Sequence, residues 1–267
     1  MKQRVITGVA LVILLIAVLA LGTPFVEIAV ALLSAIAVVE LFNATKLSGN
    51  KTLLLTAVAG TVCLVSAQCF DGVLFNPVMY VYIAAVFAIY MANMETIQLK
   101  DVAQTFFLTV YVAFMFGHVI LVRNLDNGHL LIWLVFIGAF VTDTAALFGG
   151  KFFGRHKLCP KLSPKKTIEG SIGGIIGCVL VTVIFCLVCR AGFDMKPQYA
   201  YAVLIGLGAS IVSQLGDLSA SCIKRQFGIK DYGKIMPGHG GIMDRFDSLL
   251  FVAPFVYYML LIFPIFG

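Results

Sequence analysis

The sequence predicts an all-α, polytopic membrane protein. Three observations carry that reading: an apolar composition, nine long apolar windows, and a one-sided distribution of basic residues. Of 267 residues, 61% are hydrophobic and only 12% are charged, and the mean hydropathy is +1.02. Those values lie outside the range of soluble domains.

A membrane-spanning helix takes about 20 mostly apolar residues. Windows of that kind fall at 5–22, 24–42, 53–70, 77–93, 104–122, 130–149, 170–190, 199–218 and 249–266. In the first, Lys2 and Arg4 precede an apolar run that ends in Ala20-Leu21-Gly22, which reads as an uncleaved span rather than a signal peptide. The windows at 53–70 and 77–93 are the weakest of the nine. Turns such as "LGTP", "CFDGVLFN" and "RAGFDMKPQ" connect several of the windows.

With the N-terminus on the cytoplasmic side, 16 of the 19 Lys and Arg fall in cytoplasmic segments. Only Arg123, Arg190 and Lys196 fall outside. This is the positive-inside pattern, and it puts the C-terminus on the outer side. The net charge of +6 is then explained by topology and by attraction to anionic headgroups, so no nucleic-acid partner is expected. The seven cysteines show no metal spacing, and Cys63, Cys178, Cys186 and Cys189 read as small packing residues within spans. No repeat and no long linker is evident. The expected organisation is one membrane domain over 1–267, with N-terminal spans in 1–130 and the chemistry in 140–260.

Most of the charge sits in two cytoplasmic segments. The first runs from Thr142 to Gly174 and includes "TDTAALFGGKFFGRHKLCPKLSPKKTIEG". Asp143 lies inside the window of span six. An intramembrane acid is by default a functional candidate, and the alternative is a residue capping or bridging at the wet end of the span. In "LSPKKTIEG", Ser163, Lys165, Lys166 and Thr167 crowd two cations and two hydroxyls before a glycine-rich helix start. That combination suits phosphate oxygens, although a basic cluster beside a bilayer also serves to hold topology. It is not a Walker loop.

The second segment, "SQLGDLSASCIKRQFGIKDYGKIMPGHGGIMDRFDS", runs from Ser213 to Ser248. Steps of four, four and three place Ser213, Asp217, Ser221 and Lys224 on one helical face, so a polar stripe leaves the membrane. Asp244 and Asp247 lie three apart at the mouth of span nine, with Arg245 between them. Asp217, Asp244, Asp247 and Asp231 are candidate ligands for Mg²⁺, a hard cation that prefers oxygen; interfacial Asp-Arg and Asp-Lys pairs are the other reading. Gly233, Gly238, Gly240 and Gly241, with Pro237 and His239, rule out a regular helix there and let backbone N–H groups approach a ligand.

From Ser221 to Asp247 the chain resembles the signature of the phosphatidate cytidylyltransferase family, also called CDP-diacylglycerol synthases. All the fixed letters of the form S-x-x-K-R, K-D, H-G-G and D-R-x-D are present. Met236 stands where Leu, Ile or Phe is usual. The segment from Asp143 to Gly170 resembles the family's second conserved region, with Leu147 in place of a common Tyr and Ile168 in place of a common Trp.

The resemblance implies transfer of a cytidylyl group from CTP to phosphatidate, giving CDP-diacylglycerol and pyrophosphate. It also implies Mg²⁺ with a second cation such as K⁺, a homodimer, and an active site on the cytoplasmic face of a bacterial inner (plasma) membrane. On this reading Asp217 and Asp244 hold Mg²⁺, with Asp247 and Asp231 in support. Lys165, Lys166, Lys224 and Arg225 hold phosphates, and Asp143 and Arg245 are counted among the substrate-binding residues. Ser163, Thr167 and Ser221 donate hydrogen bonds, and His239 orients a phosphate. Two other classes fit parts of the sequence. A proton-coupled carrier would use Glu27, Asp143 and Asp217, but predicts acids at the midplane and an inverted repeat. A CTP-dependent lipid kinase would share the nucleotide site and need a base near a hydroxyl. Glu27, Glu40 and Glu95 receive no role from the sequence, and Glu40 and Glu95 are expected at the interface.

Overall fold

The computed structural model describes residues 2–236 and 240–266. Helices dominate: α1 (Lys2–Leu21), α2 (Thr23–Ala44), α3 (Lys51–Gln68), α4 (Phe75–Ala92), α5 (Leu99–Asn124), α6 (Gly128–Phe136), α7 (Thr142–Phe153), α8 (Ile168–Phe193), α9 (Tyr199–Gln226) and α10 (Met243–Ile262). A π-helical segment, Ile137–Val141, joins α6 to α7 into one span, Gly128–Phe153. Among the described residues eight spans are long and apolar enough to cross a membrane, and the apolar part of α1, Gly8–Leu21, is shorter. All nine sequence windows fall on helices. The all-α expectation holds, with one small addition: β1 (Lys157–Cys159) and β2 (Ser163–Thr167) pair antiparallel inside the first charged segment.

Local chemistry sets the helix limits. Gly22 adopts φ 107 before α2, and Pro24 sits in the first turn, where its missing N–H costs nothing. The Asn50 side chain accepts from Leu53 N at 3.2 Å and caps α3. Asp101 accepts from Gln98 N at 3.1 Å at the start of α5. Helix α9 runs on to Gln226, past the end of its apolar window, and so carries the polar stripe as continuous helix.

The chain forms two compact units, Met1–His129 with Gln226–Arg245, and Leu130–Arg225 with Phe246–Gly267. In the first, α3 packs on α2, α4 and α5. Gly60 leaves room for the Tyr82 ring, and Gly117 leaves room for Gln68, whose Cγ would lie 2.6 Å from an added Cβ. In the second, α7 packs along α8 through small residues. An added Cβ at Gly170 would meet the Ala146 carbonyl oxygen at 2.7 Å, and one at Gly177 would meet Ala145 Cβ at 2.5 Å. With few polar contacts to drive association in lipid, such close backbone approach is what holds helices together. Cys178, Cys186 and Cys189 are buried as packing residues, whereas Cys63 lies on an exposed helix face.

Candidate active site

Helices α7, α9 and α10 bring three carboxylates together in the second unit. In the π segment, Gly138 has Val252 of α10 and Ala209 of α9 within 2.7 and 3.0 Å of where its Cβ would be. A π turn of this kind often marks a functional position, and here Asp143 lies two residues beyond its end. Farther along, a Cβ at Gly216 would lie 2.6 Å from the Asp247 carbonyl oxygen and 3.2 Å from Ser248 Cα. The backbones of α9 and α10 therefore nearly touch beside Asp217. Ser248 Oγ donates to Asp143 Oδ2 at 3.1 Å, which ties α7 to α10.

Asp247 is buried, with 7% of its surface exposed. The charges that act on it are those of Asp217, Lys224 and Asp143. Its Oδ1 accepts from Ser248 N at 2.8 Å. Grouping carboxylates in a partly desolvated place is unfavourable unless cations offset them. Lysines supply that charge in the protein itself: Lys166 of β2 forms an ion pair with Asp217, each side chain about a quarter exposed. Ser221 Oγ donates to Asp217 Oδ1 at 3.5 Å, at the long limit of a hydrogen bond, so the helical stripe read from the sequence is present along α9.

The hairpin of β1 and β2 positions the basic residues. Because side chains alternate along a strand, Lys165 and Lys166 point to opposite faces: Lys166 reaches Asp217, and Lys165 is exposed. Thr167 Oγ1 accepts from Gly170 N at 3.1 Å and caps α8, while Ser163 is half-buried at the strand start. Arg225 Nε donates to the Leu162 carbonyl at 3.4 Å, fastening the end of α9 to the hairpin turn. Leu147 and Ile168, the two departures from the family pattern, are both exposed.

In the first unit carboxylates tie the backbone at Tyr232 and at Gly241–Met243. Asp244 Oδ2 accepts from Tyr232 N at 2.8 Å and from Gly241 N at 3.0 Å. Glu40 of α2 accepts from Ile242 N at 3.0 Å and Met243 N at 2.9 Å. Asp231 and Arg245 are exposed. His239, with Pro237 and Gly238, lies outside the described residues. Thus Asp217 and Asp247 gather with Asp143 in one unit, whereas Asp244 and Asp231 belong to the other.

Three residues without a sequence-derived role have structural ones. Glu40 is the first. Ser248, which ended the second charged segment unassigned, anchors Asp143. Glu169 accepts from Arg155 N at 3.0 Å, from His156 N at 3.2 Å and from His156 Nδ1 at 2.7 Å, folding the α7–β1 connection. An acid in the first turn after Thr167 was the available signal for it. Glu27, which a carrier would use, lies beside Cys69.

Among the described residues no three His, Cys, Asp or Glu side chains close into a metal cage. Mg²⁺ does not ask for one, since it binds through one or two carboxylates plus water and phosphate oxygens. The donor set of the cluster fits it: hard carboxylate oxygens, and the buried Ser213 Oγ one turn before Asp217, which has no hydrogen-bond partner among the described residues.

Fold and cluster together define a polytopic, all-α membrane protein that groups Asp143, Asp217 and Asp247 with Lys166. The chain belongs to the cytidylyltransferase family, whose model matches residues 2–263. It is 35% identical over 279 residues to the phosphatidate cytidylyltransferase of Bacillus subtilis (strain 168), covering 98% of each chain. It is 31% identical over 264 residues to the phosphatidate cytidylyltransferase of Staphylococcus haemolyticus (strain JCSC1435), covering 98% of this chain and 99% of that relative.

Proposed function

We propose that this protein transfers the cytidylyl group of CTP to phosphatidate, giving CDP-diacylglycerol and pyrophosphate for phospholipid biosynthesis. The gathering of Asp143, Asp217 and Asp247 with Lys166 and Lys224 is the observation that carries this reading into residues. A phosphate oxygen of phosphatidate attacks the α-phosphorus of CTP. A new P–O bond forms there, and the bond from the α-phosphorus to the bridging oxygen breaks, releasing pyrophosphate. The nucleophile is already an anion, so no dedicated general base is needed.

The obstacle is repulsion between two anions, and the protein meets it with cations. Lys166 exchanges its ion pair with Asp217 for substrate phosphate, and Lys224 and Arg225 at the end of α9 hold the triphosphate with Lys165. Ser221, Ser163 and the remaining O–H of Thr167 donate to phosphate oxygens, while Ser248 keeps Asp143 in place. Asp217 and Asp247 would hold Mg²⁺, and Asp244 shares that role on the strength of the signature, with Asp231 behind it. Bound Mg²⁺ supplies charge that screens the triphosphate and the developing pyrophosphate. A second cation such as K⁺ suits the acid count. The basic-residue asymmetry supports a cytoplasmic site in a bacterial plasma membrane, where CTP is available and the acyl chains stay in the bilayer. A homodimer is the assembly this reading expects.

The test is conversion of labelled CTP and phosphatidate to CDP-diacylglycerol by purified protein in liposomes, with EDTA and with Mg²⁺ restored. Product that requires the divalent cation and disappears in Asp217→Asn supports the reading. A folded wild type that makes none across several phosphatidates and cations removes it, and phosphorylation of a lipid alcohol instead would favour a kinase.

A further inference from the structure

Glu40 lies on α2, remote in sequence from both charged segments, and only 4% of it is exposed. Both carboxylate oxygens are engaged by backbone: Oε1 accepts from Ile242 N at 3.0 Å, and Oε2 from Met243 N at 2.9 Å. Met243 is the first residue of α10. The first N–H groups of a helix have no partner inside it, and they carry the positive end of its dipole. Glu40 therefore caps α10 from another helix, with two charge-assisted hydrogen bonds.

The fit around Glu40 is tight on two sides. A Cβ added at Gly233 or at Gly241 would collide with its carboxylate. Asp244, in the first turn of α10, clamps the same segment through Tyr232 N and Gly241 N. Gly240 takes φ 86, and its backbone comes so near Asp244 that a Cβ would lie 2.8 Å from Oδ2. Two carboxylates thus hold the backbone around Gly241, and only one of them lies in the signature.

We propose that Glu40 is a positioning residue for the cytidylyl transfer, acting through the backbone N–H groups of Ile242 and Met243 to hold Asp244 and the Gly240–Gly241 backbone in working geometry. The inference rests on the function proposed above. Glu40 also borders a groove of about 400 Å³, with Asn43, Tyr232, Gly233 and Lys234 among its other walls.

The test compares wild type with Glu40→Gln and Glu40→Asp in liposomes. It uses turnover, the Mg²⁺ concentration for half-maximal rate, the thermal midpoint, and hydrogen exchange of the 240–246 amides. Glutamine keeps the shape but turns an N–H toward one backbone N–H, so one charge-assisted bond is lost, a change worth about tenfold or more. The expected result is a fall in kcat of about that size, a rise in the half-activating Mg²⁺ concentration of about fivefold or more, and faster exchange confined to Ile242 and Met243. A smaller active fraction alone would lower kcat without moving the Mg²⁺ dependence. A third variant probes the contact: Gly241→Ala loses activity, and Glu40→Asp added to it restores part. Glu40→Gln equal to wild type in Mg²⁺ dependence and exchange overturns the inference while wild-type activity keeps the function. An inactive, folded wild type removes both. If Glu40→Gln does not fold, Glu40→Asp and the Gly241 pair decide by the same readouts.

Discussion

Lys166 and Asp217 form an ion pair that joins the strand before α8 to the stripe of α9. Each side chain is about a quarter exposed, so the pair adds little to stability, on the order of 0–1 kcal/mol. On the proposed function its worth lies in charge placed where an anion is to bind. Lys166→Met is therefore expected to shift the thermal midpoint by no more than a few degrees and to lower cytidylyl transfer by about 100-fold. Parallel midpoint and rate measurements check this, and a variant that unfolds in step with its loss of rate would contradict it.

Asp247 tests the opposite balance. Its carboxylate is buried and faces Asp143 and Asp217. Asp247→Asn removes one like charge while the amide oxygen still accepts from Ser248 N. In EDTA the variant is expected to be more stable than wild type by about 1 kcal/mol, and to be inactive. Thermal unfolding in EDTA reads the first, and the product assay the second.

The approach of α9 to α10 leaves Gly216 no room for a methyl group. The clash would be with the backbone oxygen of Asp247 at 2.6 Å, which cannot move as a side-chain end can. Gly216→Ala is expected to cost about 1–3 kcal/mol and to abolish activity. Gly192, near the end of α8, has nothing within 4 Å of an added Cβ. Gly192→Ala is expected to be neutral or stabilising by up to about 1 kcal/mol. Equal effects at the two glycines would show that helix propensity, not packing, governs both.

Thr167 caps α8 through Gly170 N. Thr167→Ala is expected to cost about 1 kcal/mol, and Thr167→Ser to recover most of it. If the hydroxyl also serves substrate, Thr167→Ala raises the KM for CTP as well, and serine recovers that too. Chemical unfolding and steady-state kinetics on the same preparations separate the two effects.

Much of this protein is legible in short windows of sequence. Whether about 20 residues can cross a bilayer depends on their own transfer free energy, so all nine windows appear as helices without reference to one another. Thr167 as a helix cap and the α9 stripe from Asp217 through Ser221 are likewise set by neighbours within a turn or two. The fixed letters from Ser221 to Asp247 point to the family because they all fall within one short stretch of chain.

What the tertiary structure decided is which acids meet and what each one touches. Asp143, Asp217 and Asp247 converge because Gly138 and Gly216 let helix backbones approach, and Ser248 fastens the join. Lys165 and Lys166 look equivalent until β2 pairs with β1 and turns them apart. Glu40 reads as an isolated acid at the end of a span, since its partners, the N–H groups of Ile242 and Met243, are backbone groups that any sequence has. Propensity, hydropathy and motif are properties of neighbouring residues, whereas a carboxylate finds its partner only when packing closes the distance between segments far apart in the chain.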